Sequence, residues 1–130
     1  MKPARAILMF LVTTVFSAAA IADATSEATE SASGEVMQKC KYPARPDIPN
    51  GRDATEDEMV GTQRLLKAYL AGGDGYLACL DQVSQGWGEN ATEEQKAVIV
   101  IFHNRMVDEM QSTADLFNQA VRAFKGKRGS

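Results

Sequence analysis

Histidine, cysteine and tryptophan are scarce in this chain, and their scarcity excludes most site chemistry. The one histidine, His103, has no Glu-x-x-His context, so the di-iron pattern of carboxylate-rich helical bundles is missing. The two cysteines, Cys40 and Cys79, lie far apart in the chain. They form neither a haem-attachment motif nor a Cys-x-x-Cys redox pair. No phosphate-binding glycine loop, nucleophile elbow or calcium loop occurs. Gly72-Gly73-Asp74-Gly75 offers a single carboxylate, too few for calcium. The formal charge of −3 argues against nucleic acid as a partner. These absences point away from an enzyme, and no catalytic, cofactor or metal residue is assigned.

A long uninterrupted apolar run is also lacking. Lys2 and Arg5 precede an apolar stretch from Ala6 to Ala22 that Thr13, Thr14 and Ser17 dilute. It is shorter than the ~20 residues a spanning helix needs. It ends in Ala20-Ile21-Ala22, the small-x-small pattern of a signal peptidase site. Residues 1–22 therefore read as a signal peptide cleaved after Ala22, with a retained anchor as the rival reading. The expected location is periplasmic or secreted, with the membrane touched only through the leader. Without Lys2 and Arg5 the formal charge falls from −3 to −5.

The rest of the chain divides by composition. Residues 23–38 are small and polar with no large apolar residue before Val36. Such a stretch cannot offset its ordering entropy, so a disordered tether is expected. Pro43, Pro46 and Pro49 recur every third residue, the period of a polyproline II helix, and predict an extended strip ending in a turn at Asn50-Gly51.

From Thr55 the period becomes helical. Thr55 with Glu58 is a capping box, and Thr92 with Gln95 is a second. The first seam runs Met59, Thr62, Leu66, Tyr69, Gly73, Tyr76, Leu80, Val83, Trp87, and the second Ile99, Phe102, Met106, Met110, Thr113, Phe117, Ala120, Phe124. Steps of three and four give both a coiled-coil-like heptad character. Leu65, Leu70 and Leu77 widen the first stripe. Each glycine at 72, 73 and 75 costs a helix about 1 kcal/mol relative to alanine. The seam nevertheless keeps phase across them, which predicts one continuous helix. Gly86 to Asn90 makes a short turn, so the two helices should lie antiparallel. The fold expected is all-α: an antiparallel two-helix hairpin over 39–125 with a proline-rich N-terminal strip, and a flexible basic tail over 126–130. Two helices leave part of each stripe uncovered, so association into a four-helix bundle, a homodimer, is weighed alongside a monomer.

The residues that could carry function are few. Cys40 and Cys79 are expected to form a disulfide. The ~46 Å reach of 15 steps of polyproline II brings the strip back along ~36 Å of helix. A redox pair, an intermolecular bridge and free thiols are the alternatives. Trp87, flanked by glycines, either folds onto the end of the hairpin or serves as an exposed anchor for an unknown protein partner. Met106 and Met110 read as core, and His103 as a surface or edge residue. The acidic residues Asp108, Glu109 and Asp115 read as a solvated face.

Several short stretches stand together in one order: Cys40, the spaced prolines, Pro49-Asn50-Gly51, Glu58-Met59, Lys67-Ala68-Tyr69, Tyr76-Leu77-Ala78-Cys79-Leu80 and His103-Asn104. The pattern resembles a group of small exported helical proteins of Gram-negative bacteria over roughly Cys40 to Phe124. The resemblance implies an exported helical hairpin and brings no catalytic residues with it. The leading expectation is a non-enzymatic periplasmic interaction or scaffold protein. The alternative is a small-ligand or metal carrier using His103, Met106, Met110, Tyr69 and Tyr76 in the bundle core.

Overall fold

A computed structural model describes residues 19–129, with side chains from residue 24 onward. The leader expected over residues 1–22 lies outside the described residues up to position 18; its last four residues belong to a helix. The described chain is all-helical, with α1 at Ala19–Lys39, α2 at Glu56–Trp87 and α3 at Glu93–Arg128. Among the described residues there is no strand.

Helices α2 and α3 begin where their capping boxes predict. The Thr55 hydroxyl accepts from the Glu58 N–H, and the Glu58 carboxylate accepts from the Thr55 N–H at 2.7 Å. Thr92 and Gln95 repeat the exchange at the start of α3. Helix α2 stops at Gly88, whose φ of 73° is a left-handed conformation that favours glycine. Helix α3 then runs back toward the start of α2. Met110 meets α2 at Gly73, Lys127 reaches the Ala54 carbonyl, and Arg128 reaches Glu56.

The seam of α2 is buried from Met59 through Val83 at every position, and Trp87 is half-buried. That of α3 buries Met106, Thr113, Phe117 and Ala120, with Ile99, Phe102, Met110 and Phe124 half-buried; Val98, outside the seam, is buried as well. Of the leucines expected to widen the stripe, Leu70 and Leu77 are half-buried but Leu65 is 59% exposed. Thr62 and Thr113 satisfy their buried hydroxyls within their own helices, each donating to the carbonyl four residues back.

The glycine run does not break α2, because those positions are close-approach sites. A Cβ at Gly73 would lie 2.5 Å from the Met110 sulfur, and one at Gly72 3.1 Å from Pro43. Gly51 is tighter still, since its Cβ would lie 1.8 Å from the Ala120 carbonyl oxygen. Residues 41–51, without helix or strand, therefore touch α2 at Pro43 and α3 at Gly51.

Two expectations are corrected. Residues 23–38, read as a disordered tether, are helical within α1. The stretch is too polar to fold alone, but Ala32, Val36 and Cys40 recur at four-residue spacing and are all buried, forming a narrow apolar stripe. Helix α1 packs on both α2 and α3 through this half, while residues 24–31 are exposed throughout. The fold thus has three helices rather than two. The tail over 126–130, read as flexible, continues α3 to Arg128. It is fastened by Lys127 to Ala54 at 2.7 Å and by Arg128 to Glu56 at 3.3 Å.

Candidate functional site

Three places in the fold gather the residues that carry chemistry. The first is the junction of α1 with residue 41 onward. Cys40 and Cys79 are joined, with Cα atoms 5.7 Å apart, within the range disulfides adopt. Cys40 is buried and Cys79 half-buried, and among the described residues no free cysteine remains. One turn along α2 from Cys79, Tyr76 packs edge-on against Tyr42 with ring centroids 4.9 Å apart. All three tyrosines of the chain take part in this region: Tyr42 is half-buried, while Tyr69 and Tyr76 are buried.

The charged neighbours of these rings come from α3. Arg105 lies 5.8 Å from the Tyr42 ring centroid and pairs with Glu109 at 3.4 Å. Burial is the main cause that pushes the Tyr42 phenol far above its ordinary value, and the nearby Glu109 carboxylate adds to it. Burial also raises Tyr76, against an opposing contribution from Arg105. The Glu109 carboxylate is the polar neighbour of the Tyr42 hydroxyl, and neither that hydroxyl nor the one of Tyr69, both buried, makes a hydrogen bond of full geometry. Glu109, read from sequence as part of a solvated face, is half-buried here. The residue that sequence reasoning missed is Tyr42. It sits among the spaced prolines, where no periodicity marks a side chain as inward.

The second place is the top of the molecule. The Trp87 indole N–H donates to the Glu35 carboxylate at 2.8 Å, and Lys39 holds the other oxygen of that carboxylate at 2.6 Å. Lys39 first and Trp87 second keep the Glu35 carboxyl below its ordinary value. Trp87 is half-buried, and its polar handle is engaged by α1.

The third is the flank of α2 and α3 that faces away from residues 41–50. A helix turns about 100° per residue, so contacts on consecutive residues mark consecutive faces. On α2, Gly72 meets Pro43 and Gly73 meets α3; Leu70 and Leu77 lie beyond Gly73, on the side away from Pro43. On α3, Ile99, Met110 and Val121 recur every three turns and share one side. All five are half-buried apolar residues packed at the margin of the core.

The residues expected for a carrier are dispersed. Met106 is fully buried, Met110 rests on Gly73, Tyr69 and Tyr76 belong to the tyrosine region, and His103 is exposed. Among the described residues no three His, Cys, Asp or Glu side chains come close enough to hold a metal ion, and no helix is long and apolar enough to cross a membrane. Compared with protein families, curated proteins and solved structures, the chain matches none.

Proposed function

We propose that this is a non-enzymatic interaction or scaffold protein of the periplasm, acting through the open flank of α2 and α3. In this reading the two helices form a hairpin, the proline-rich segment laces one side, and the free side takes a second copy of the chain. The observation that carries it is the half-buried row Leu70, Leu77, Ile99, Met110 and Val121, the kind of apolar margin that a four-helix bundle closes over.

A complementary polar pair supports a second copy as the occupant. Gly73 lies beside Met110. Eight residues up α2 is Asp81 and seven residues back along α3 is His103, so the two are nearly level. Both are exposed, and neither has an ion pair among the described residues. A two-fold axis along the helices lays α2 of one copy on α3 of the other, bringing each Asp81 opposite the other copy's His103. Sedimentation across a concentration series tests this. A dimer is expected for the native chain and a monomer for Leu77→Asp. His103→Asp should weaken the dimer, and adding Asp81→Lys should restore it. A native chain that stays monomeric at every concentration rejects the proposal.

Trp87 supports partner docking less well, because its N–H already serves Glu35. The carrier reading keeps one observation in its favour: the buried, unpartnered hydroxyls of Tyr42 and Tyr69 are groups that a small polar ligand or a water would satisfy. Native mass spectrometry of protein released from its own periplasm separates the two. A stoichiometric extra mass, lost in Tyr69→Phe, would place the carrier first.

A further inference from the structure

The opposite end of the molecule, where α2 begins and α3 ends, carries a separate feature. The backbone at Arg52 is fixed there by its neighbours. Gly51 is pressed on the Ala120 carbonyl so closely that no side chain fits. Asn50 locks the following turn: its side chain donates to Asp53 at 2.9 Å and accepts from the Arg52 N–H at 3.1 Å, and its carbonyl accepts from the Ala54 N–H at 3.0 Å. The turn is thereby pinned to α3 within a turn of Arg122. A cavity of about 510 Å³ opens between them, lined by Arg52, Arg122, Ala123, Gly126 and Lys127.

That lining has three cations and no carboxylate, in a chain of net charge −3. Of the acids nearby, Glu56 pairs with Arg128, Asp53 accepts from Asn50, and Glu58 caps α2 while its carboxylate also lies in the field of Lys127. Lys127 is anchored, donating to the Ala54 carbonyl with its ammonium 5.0 Å from the Phe124 ring centroid. The guanidinium groups of Arg52 and Arg122 have neither ion pair nor hydrogen bond among the described residues. The end of α3 contributes a partial negative charge of about one half. Lys127 offsets that and faces the Glu58 carboxylate, which leaves Arg52 and Arg122 as the positive excess of the cavity. Two arginines lining one cavity suit a tetrahedral oxyanion, which guanidinium forks can grip through paired N–H donors.

We propose that this cavity binds a phosphate group, held by Arg52 and Arg122 with Lys127 supplying a third, fixed charge. The group can belong to a soluble phosphate compound or to an anionic lipid headgroup, and the experiment distinguishes them. The full chain is titrated at physiological salt with inorganic pyrophosphate by calorimetry. In parallel, its co-sedimentation with phosphatidylglycerol vesicles is compared with phosphatidylcholine vesicles. Saturable one-to-one binding of pyrophosphate assigns a soluble ligand; binding to phosphatidylglycerol vesicles alone assigns the headgroup. In either case Arg52→Gln and Arg122→Gln should each weaken binding about tenfold or more, the effect of losing a charge-assisted hydrogen bond. Lys125→Gln, outside the cavity lining, should change it little. Unchanged thermal melts of the arginine variants keep the comparison free of unfolding. Absence of binding to both probes overturns the proposal. So does an equal loss in Lys125→Gln, which would mean diffuse attraction to a basic helix end.

Discussion

One flank of the α2–α3 pair is closed and the other is open, although both are cut from the same two seams. On the closed flank Gly72 receives Pro43, Gly51 receives the Ala120 carbonyl, and Cys79 is bonded to Cys40. On the other flank Leu70, Leu77, Ile99 and Val121 pack at the margin of the core and stay half-buried. The stripe of an amphipathic helix therefore fixes how much apolar surface must be covered, but not what covers it. Here the cover on one side is a segment with no regular structure, held by a covalent bond and by missing side chains. A segment of that kind contributes little cooperative hydrogen bonding of its own. Its fasteners therefore set its stability, and removing them one at a time is the way to probe the contrast.

The largest effect is expected from the disulfide. It closes a loop across a separation of 39 residues, and the chain-entropy account assigns such a loop about 4 kcal/mol. Against a typical net stability of about 5–15 kcal/mol, Cys79→Ser should lower the melting temperature of the oxidised protein sharply. It should also expose Tyr42, raising proteolysis between residues 41 and 50 before α2 or α3 is cut. A variant that melts with the native protein would show that the closed flank is held by packing alone.

The next test uses two glycines two residues apart in α2, with opposite signs. Gly75 has open space around it, so Gly75→Ala should stabilise by about 1 kcal/mol through helix propensity alone. At Gly73 the new methyl would meet the Met110 side chain as close as 2.5 Å. Overpacking costs of about 1–3 kcal/mol then exceed the same propensity gain, and Gly73→Ala should destabilise by on the order of 1 kcal/mol. Chemical denaturation of the two variants side by side is the measurement. If both stabilise, the flexible Met110 side chain moves aside to accept the methyl.

These glycines mark where sequence reading worked and where it stopped. The seams of α2 and α3 were legible because steps of three and four bury one stripe whatever the partner is, and the caps were legible because a capping box is a local motif. The glycines looked like a cost, because their benefit lies in Pro43 and Met110, which are distant in the chain. Helix α1 failed for the same reason. Its stripe is only Ala32, Val36 and Cys40, and its polar tie runs from Glu35 to Trp87, 52 residues away. Of the candidate site, the cysteine pairing was readable from reach and geometry. The tyrosine region was half readable, since Tyr69 and Tyr76 sit on the seam while Tyr42 lies where no period operates.

The smallest effect, and the one that isolates α1, concerns Glu35. Its carboxyl is held below the ordinary value of 4.5 by the hydrogen bond from Lys39 first and the one from Trp87 second. A carboxyl lowered in the folded state favours folding in its ionised form. Its contribution is therefore complete above 4.5 and disappears as pH falls through the lower folded value. Trp87 is the single tryptophan, so its emission reports this bond without interference. In acid titration the emission should shift with a midpoint below 4.5 while helical content persists. Glu35→Gln keeps an acceptor but cannot titrate, and should flatten that transition. If the transition survives in Glu35→Gln, the docking of α1 rests on Val36 and Ala32 rather than on the indole. The top of the closed flank would then be sealed by apolar contact alone.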